Sequence, residues 1–227
     1  MWRKILFPAV LWSMFLPACS HKDTTPHIEG RIIGLKKGTV YLNRLDNDSL
    51  IKIDSFRVKG DGQFRFDLSK IDPQLLVITV KEIPEAYLAF FSDDTVVTIT
   101  SLWNKFGLKN EISGGKNQRA WVNFNQIRRQ MNDRKLDVLK AGLEARKDND
   151  SVAWKRAMKQ EVSLMKRFKL YAYQFAVKNA DKNVGAYVAW REFKDNRQVL
   201  DSIYKKLSPS VKKGPYGLKI KRLLGKN

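Results

Sequence analysis

From residue 28 to residue 114, apolar and polar side chains alternate in short runs. Ile28–Gly34, Thr39–Arg44, Ile51–Val58, Phe64–Leu68, Leu75–Lys81, Tyr87–Phe91 and Thr95–Thr100 carry β-branched and aromatic residues at close to every second position. That is the period of a strand with one buried face. Turn-forming residues separate the runs, and Lys36-Lys37-Gly38 and Lys59-Gly60-Asp61-Gly62 are expected to close hairpins. Seven or eight strands at this spacing predict an antiparallel β-sandwich or barrel.

After Ser113-Gly114-Gly115 the period lengthens to that of helices. Trp121, Phe124, Ile127 and Met131 recur at three and four, as do Leu136, Leu139 and Leu143. Asn149-Asp150-Ser151 offers N-caps for a second long helix. On that helix Met158, Val162, Met165, Phe168, Ala172 and Phe175 form one apolar stripe, which is expected to be core. Shorter helices are predicted over Val184–Phe193, over Gln198–Leu207 and after Gly217. The fold class is therefore α+β in two segregated parts: a β-sandwich or barrel, then a helical region with a long helical hairpin.

The first residues belong to neither part. Arg3 and Lys4 precede an apolar run from Ile5 to Leu16, and Leu16-Pro17-Ala18-Cys19 has the form of a lipobox. The run is shorter than the roughly 20 apolar residues of a membrane-spanning helix. The division expected is a signal peptide over 1–18, a tether over 19–27, a β-domain over 28–114 and a basic helical region over 115–227. Cys19 is the lipid attachment site, and His21 and His27 are expected to be solvated on the tether. Cys19 is also the sole cysteine, so once acylated it leaves no thiol for disulfide, redox or zinc chemistry. The implied location is the cell envelope, lipid-anchored. Ser20 and Lys22-Asp23 suit sorting to the outer membrane.

Charge divides as the periodicity does. The chain carries a net +20; residues 19–114 hold 13 Lys/Arg and 13 Asp/Glu, whereas residues 115–227 hold 28 against 10. Such asymmetry implies an anionic neighbour or a solvated surface. Lys166, Arg167 and Lys169, with Lys212 and Lys213, are the candidate anion-binding residues. Anionic lipid, lipopolysaccharide and acidic glycans are the partners in view. Nucleic acid is not expected at an envelope, and no reading motif is present.

Ile53-Asp54-Ser55, Gly62-Gln63-Phe64-Arg65-Phe66 and Ile112-Ser113-Gly114-Gly115 occur in this order after the lipobox. Asn183-Val184-Gly185-Ala186-Tyr187 and Gly214-Pro215-Tyr216-Gly217-Leu218 follow. Together they resemble a Bacteroidetes-type lipoprotein family with a β-rich domain of unknown function and a helical region. In that family a thioredoxin-like domain, of the thiol-disulfide reductase or peroxiredoxin type, usually comes next. The chain departs from that pattern: it runs to Asn227 with no Cys-x-x-Cys, so the thioredoxin-like domain and the redox activity it carries are not expected here. The motifs themselves read as folding elements, with Phe64 and Phe66 on one strand face.

No catalytic motif stands out. Asp93-Asp94 reads as a solvated turn, and Ser113-Gly114-Gly115-Lys116 as a turn and N-cap rather than a phosphate loop. No cofactor or metal is expected. The functional expectation is a non-enzymatic envelope lipoprotein that binds or scaffolds. A second reading is an accessory to thiol-disulfide exchange beside a separate thioredoxin-like protein, and a third is a hydrolase with a carboxylate site. The anchor is tested by Cys19→Ser, which should move the protein out of the detergent phase of a Triton X-114 partition. Continued detergent partitioning with the signal removed would contradict the lipobox.

Overall fold

The computed structural model describes residues 25–46 and 49–226. The expected signal peptide, Cys19 and His21 lie outside these residues. Among those described there are eight strands: β1 (His27–Ile33), β2 (Lys37–Asp46), β3 (Ser49–Lys59), β4 (Gln63–Asp67), β5 (Leu75–Val80), β6 (Tyr87–Phe91), β7 (Val97–Leu102) and β8 (Asn110–Ser113). They form two four-stranded sheets, ordered β4-β1-β7-β8 and β3-β2-β5-β6. Every pairing is antiparallel except β1 with β7, which is parallel.

Ile28, Ile32, Phe64, Phe66, Val97 and Ile99 of the first sheet share one buried cluster with Val40, Leu42, Ile78, Leu88 and Phe90 of the second. This is the core of a sandwich, filled by alternate residues of each strand. Phe64 and Phe66 both point into it, as the alternation predicts. The two expected hairpin turns are a correction: Lys36-Lys37-Gly38 and Lys59-Gly60-Asp61-Gly62 each join strands of different sheets. They lie side by side as corners, the Gly60 N–H donating to the Lys36 carbonyl at 2.8 Å. Gly62 has φ +80°, and a Cβ there would sit 2.0 Å from the Ile32 carbonyl oxygen. Period-two alternation identifies strands but does not say which sheet each one joins. His27 is a second correction. It opens β1 rather than closing a tether, and it is buried, its ring nitrogens 2.7 Å from the Thr25 carbonyl and 2.9 Å from the Glu29 carboxylate.

The helices are α1 (Lys116–Lys147), α2 (Ser151–Lys178), α3 (Asn183–Phe193), α4 (Arg197–Lys206), α5 (Pro209–Lys213) and α6 (Pro215–Leu223). They pack on the outer face of the second sheet at β5, β6 and the end of β2, leaving β3 exposed. β5, Leu75–Val80, is buried along nearly its whole length because it is covered on both sides. Leu75 and Phe91 enter the helical core beside Trp121, Phe175, Val184, Tyr187 and Tyr216. The Tyr216 hydroxyl accepts the Leu75 N–H at 3.1 Å, and burial pushes its phenol well above the usual range. Lys219 ties α6 to the end of β2 through Asp46 at 2.9 Å. Its hydrogen bond and charge hold that carboxyl below the ordinary aspartate value.

α1 and α2 form the expected hairpin. Asp150 caps α2, its carboxylate accepting the Val152 and Ala153 N–H groups. The apolar stripe of α2 is core only towards its C-terminal end. Ala172 and Phe175 are buried and Phe168 half-buried, whereas Val162 and Met165 are exposed, against expectation. The cause is length: α1 has 32 residues, roughly 48 Å, and outruns the body it packs on. Beyond Phe124 and Phe168 the recorded side-chain contacts of the hairpin are internal: Lys135–Glu161, Arg146 over Trp154, and Ala157 beside Gly142.

The sandwich core is tested by Phe66→Ala, which should cost about 3–5 kcal/mol in a denaturant titration. A loss below about 1 kcal/mol would mean that the side chain does not fill the core.

Candidate anionic-surface interface

The junction between the two halves was read in sequence as a solvated Asp93-Asp94 turn beside a glycine-rich N-cap. Asp93 is instead buried, at 4% exposure. Its carboxylate accepts the backbone N–H of Asn117 (2.9 Å), the Asn117 side-chain amide (2.9 Å) and the backbone N–H of Gln118 (3.0 Å). Gly115 is the N-cap of α1 and supplies no side chain; Asp93, from the loop after β6, does the capping. A Cβ on Gly115 would lie 2.7 Å from the Asp93 Cγ, so glycine is required by the close approach. The first turn of α1 therefore already holds an anion, and it belongs to the protein. That settles the Ser113-Gly114-Gly115-Lys116 candidate as structural.

The same residues pass the link onward. Asn117 Oδ1 accepts the Val184 N–H at 3.1 Å, satisfying the start of α3, and Gln118 Oε1 accepts the Phe91 N–H at 2.8 Å. Asp94 lies apart, lining a small cleft that also contains Asp72, Asp181, Lys116, Lys182 and Lys213. Three carboxylates and three ammonium groups share that cleft, so Lys213 faces acids as well as solvent. Among the described residues no cluster of His, Cys, Asp and Glu has the make-up of a metal site. A larger open cleft of about 890 Å³ runs between β6, the Phe106–Asn110 loop and α1, with Trp121, Asn125 and Arg129 on its helical wall.

The five basic candidates do not converge. Lys169 is engaged with Glu192 at 3.1 Å and sits over the Phe193 ring, tying α2 to the end of α3. Lys212 donates to the Lys205 carbonyl at 3.3 Å and lies over Tyr204, tying α5 to α4. Lys166 and Arg167 are exposed on α2, and successive helical residues diverge by about 100°. No recorded contact joins the α2 group to the α5 group. The pattern is a diffuse basic surface, densest on the hairpin, where residues 116–178 hold 16 Lys/Arg against 6 Asp/Glu. The ion pairs recorded for the hairpin among the described residues are Lys135–Glu161 and Lys169–Glu192.

Residues 27–121 match the family model of a domain of unknown function, DUF4369. The similarity covers the β-rich half of the chain. The match runs past β8 into the first turns of α1, so the matched segment includes Asn117, Gln118 and Trp121, the residues through which the helical region is attached. No curated protein and no solved structure matches the chain. What sequence reasoning missed here was Asp93: two adjacent aspartates before a turn carry the same local signal whether solvated or capping a helix twenty-odd residues later.

The capping role predicts the effect of Asp93→Asn, which removes the charge and turns one acceptor into a donor facing donors. The urea midpoint should fall by the equivalent of about 2–3 kcal/mol. A change below about 0.5 kcal/mol would show that the carboxylate does not hold the junction.

Proposed function

We propose that this protein is a non-enzymatic envelope lipoprotein, anchored through acylated Cys19, whose helical half works against an anionic surface. The observation that carries the reading is the partition of charge: a β-domain that is electrically balanced, and a projecting hairpin with ten more cations than anions. The ion pairs recorded for those cations among the described residues are two, Lys135–Glu161 and Lys169–Glu192, and a hairpin clear of the body can meet an extended surface along its length. An outer-membrane leaflet, with its lipid phosphates or lipopolysaccharide, is the surface a lipid-tethered chain meets first.

Each basic residue near such a surface contributes about 1 kcal/mol, and the attraction fades over a Debye length of roughly 8 Å at physiological salt. The chain from residue 19 onward, with Cys19→Ser so that no acyl chain assists, should sediment with vesicles containing phosphatidylglycerol. Binding should weaken steeply as salt rises. Failure to sediment with such vesicles or with lipopolysaccharide even at low salt would overturn this reading.

A further inference from the structure

The exposed apolar residues near the tip of the hairpin are not evenly distributed around its axis. The seam between the helices is located by Phe124 against Phe168, Lys135 with Glu161, and Gly142 against Ala157. A helix turns about 100° per residue. Leu136, Leu139 and Leu143 therefore lie about a quarter turn round α1 from the seam, and Met158, Val162 and Met165 about a quarter turn round α2 in the same rotational sense. Because the two helices run antiparallel, the same rotation carries both sets to the same flank. The seam contacts also set their levels, with Leu136 beside Val162 and Leu139 beside Met158. Leu136 is 64% exposed, Leu143 57%, Val162 53% and Met165 52%. These side chains form one apolar strip in solvent.

Charge on the hairpin sorts around the same strip. Arg129, Lys140, Lys147, Lys155 and Lys166 stand along its margins, and no carboxylate occupies the positions between them. The acids of α1, Asp133, Asp137 and Glu144, project from the side of that helix turned away from the seam, about half a turn from Phe124, Lys135 and Gly142. Glu161 is in the seam, paired with Lys135. We infer that this flank is an interfacial membrane-docking face, with Leu136, Leu139, Leu143, Met158, Val162 and Met165 entering the headgroup–acyl boundary of an anionic bilayer. The marginal lysines and arginine reach back to the phosphates. The inference rests on the anionic-surface reading and adds to it a defined face and an apolar component.

Charge complementarity chooses the occupant. An apolar strip would also suit a second copy of the chain or an acidic amphipathic protein. Two copies meeting here would bring together two hairpins that each hold 16 Lys/Arg against 6 Asp/Glu. An anionic bilayer supplies both what the strip lacks and what the margins lack, an apolar phase under a sheet of negative charge.

The test places one nitroxide label on each flank of the chain from residue 19 onward, in the Cys19→Ser background, at Leu139→Cys or at Ser163→Cys on the opposite side. With equimolar phosphatidylglycerol and phosphatidylcholine vesicles, the label at 139 should gain oxygen accessibility and lose accessibility to an aqueous relaxation agent. The label at 163 should remain in water. Replacing Leu136, Leu139 and Leu143 by Ser should weaken binding at physiological salt about tenfold or more, while Val152→Ser with Leu170→Ser changes it less than about twofold. If the protein sediments with the vesicles but the two labels stay equally water-exposed, the face is wrong and the electrostatic reading stands. If nothing sediments at low salt, both fall. Dipolar broadening between labels at 139 without vesicles would assign the strip to a second copy and overturn the inference.

Discussion

One carboxylate holds this molecule together. Asp93 leaves the sandwich at the end of β6 and accepts three N–H groups at the start of α1. A helix begins with unsatisfied donors and a partial positive charge, so a buried aspartate there is satisfied by the helix and satisfies it in turn. Asn117 carries the arrangement to the N-terminus of α3, and Gln118 returns it to Phe91. Around this polar link the rings of Phe91, Trp121, Tyr187 and Tyr216 pack edge to face or tilted, 5.0 to 6.3 Å between centroids. The direction in which the hairpin leaves the body is set by these contacts, not by the hairpin itself.

The hairpin can therefore be long without being loose. Near its tip the seam is made of Gly142, Ala145 and Ala157, small enough for the helices to approach closely, and both ends of the turn are capped. The body stops near Phe124 and Phe168, and past it the apolar stripe continues with nothing recorded against it. Leaving such a strip in water forgoes roughly 25 cal/mol for each Å² of apolar area left unburied, so the cations beside it acquire a second role. On the reading proposed above, they keep copies of the chain apart while favouring an anionic partner.

Much of this was legible in the residues. Leu75–Val80 could be identified as a strand, and its unbroken apolar run also reflects the covering on both faces that the structure gives it. Asp150 announced the start of α2, and Phe64 with Phe66 announced an inward face. Other features were not legible, for physical reasons. The turns at Gly38 and Gly60 have hairpin composition, yet sheet membership depends on β1 pairing with β4 and β7, contacts remote in sequence. The stripe on α2 has the right period for a core, but period does not say where the covering body ends. The apolar spacing of Leu136, Leu139 and Leu143 was legible in α1; the seam contacts were needed to say which flank it occupies.

If the Asp93 link makes the first turn of α1 part of the β-domain, the two halves open together. Native-state hydrogen exchange in rising denaturant compares the amides of Asn117, Gln118 and Val184 with those of the sandwich core, such as Phe66 and Ile99. The account predicts that all five exchange only through the same global opening, with one free energy and one denaturant dependence. Exchange of the Asn117, Gln118 and Val184 amides through a separate opening of lower free energy, with the strands still protected, would contradict it.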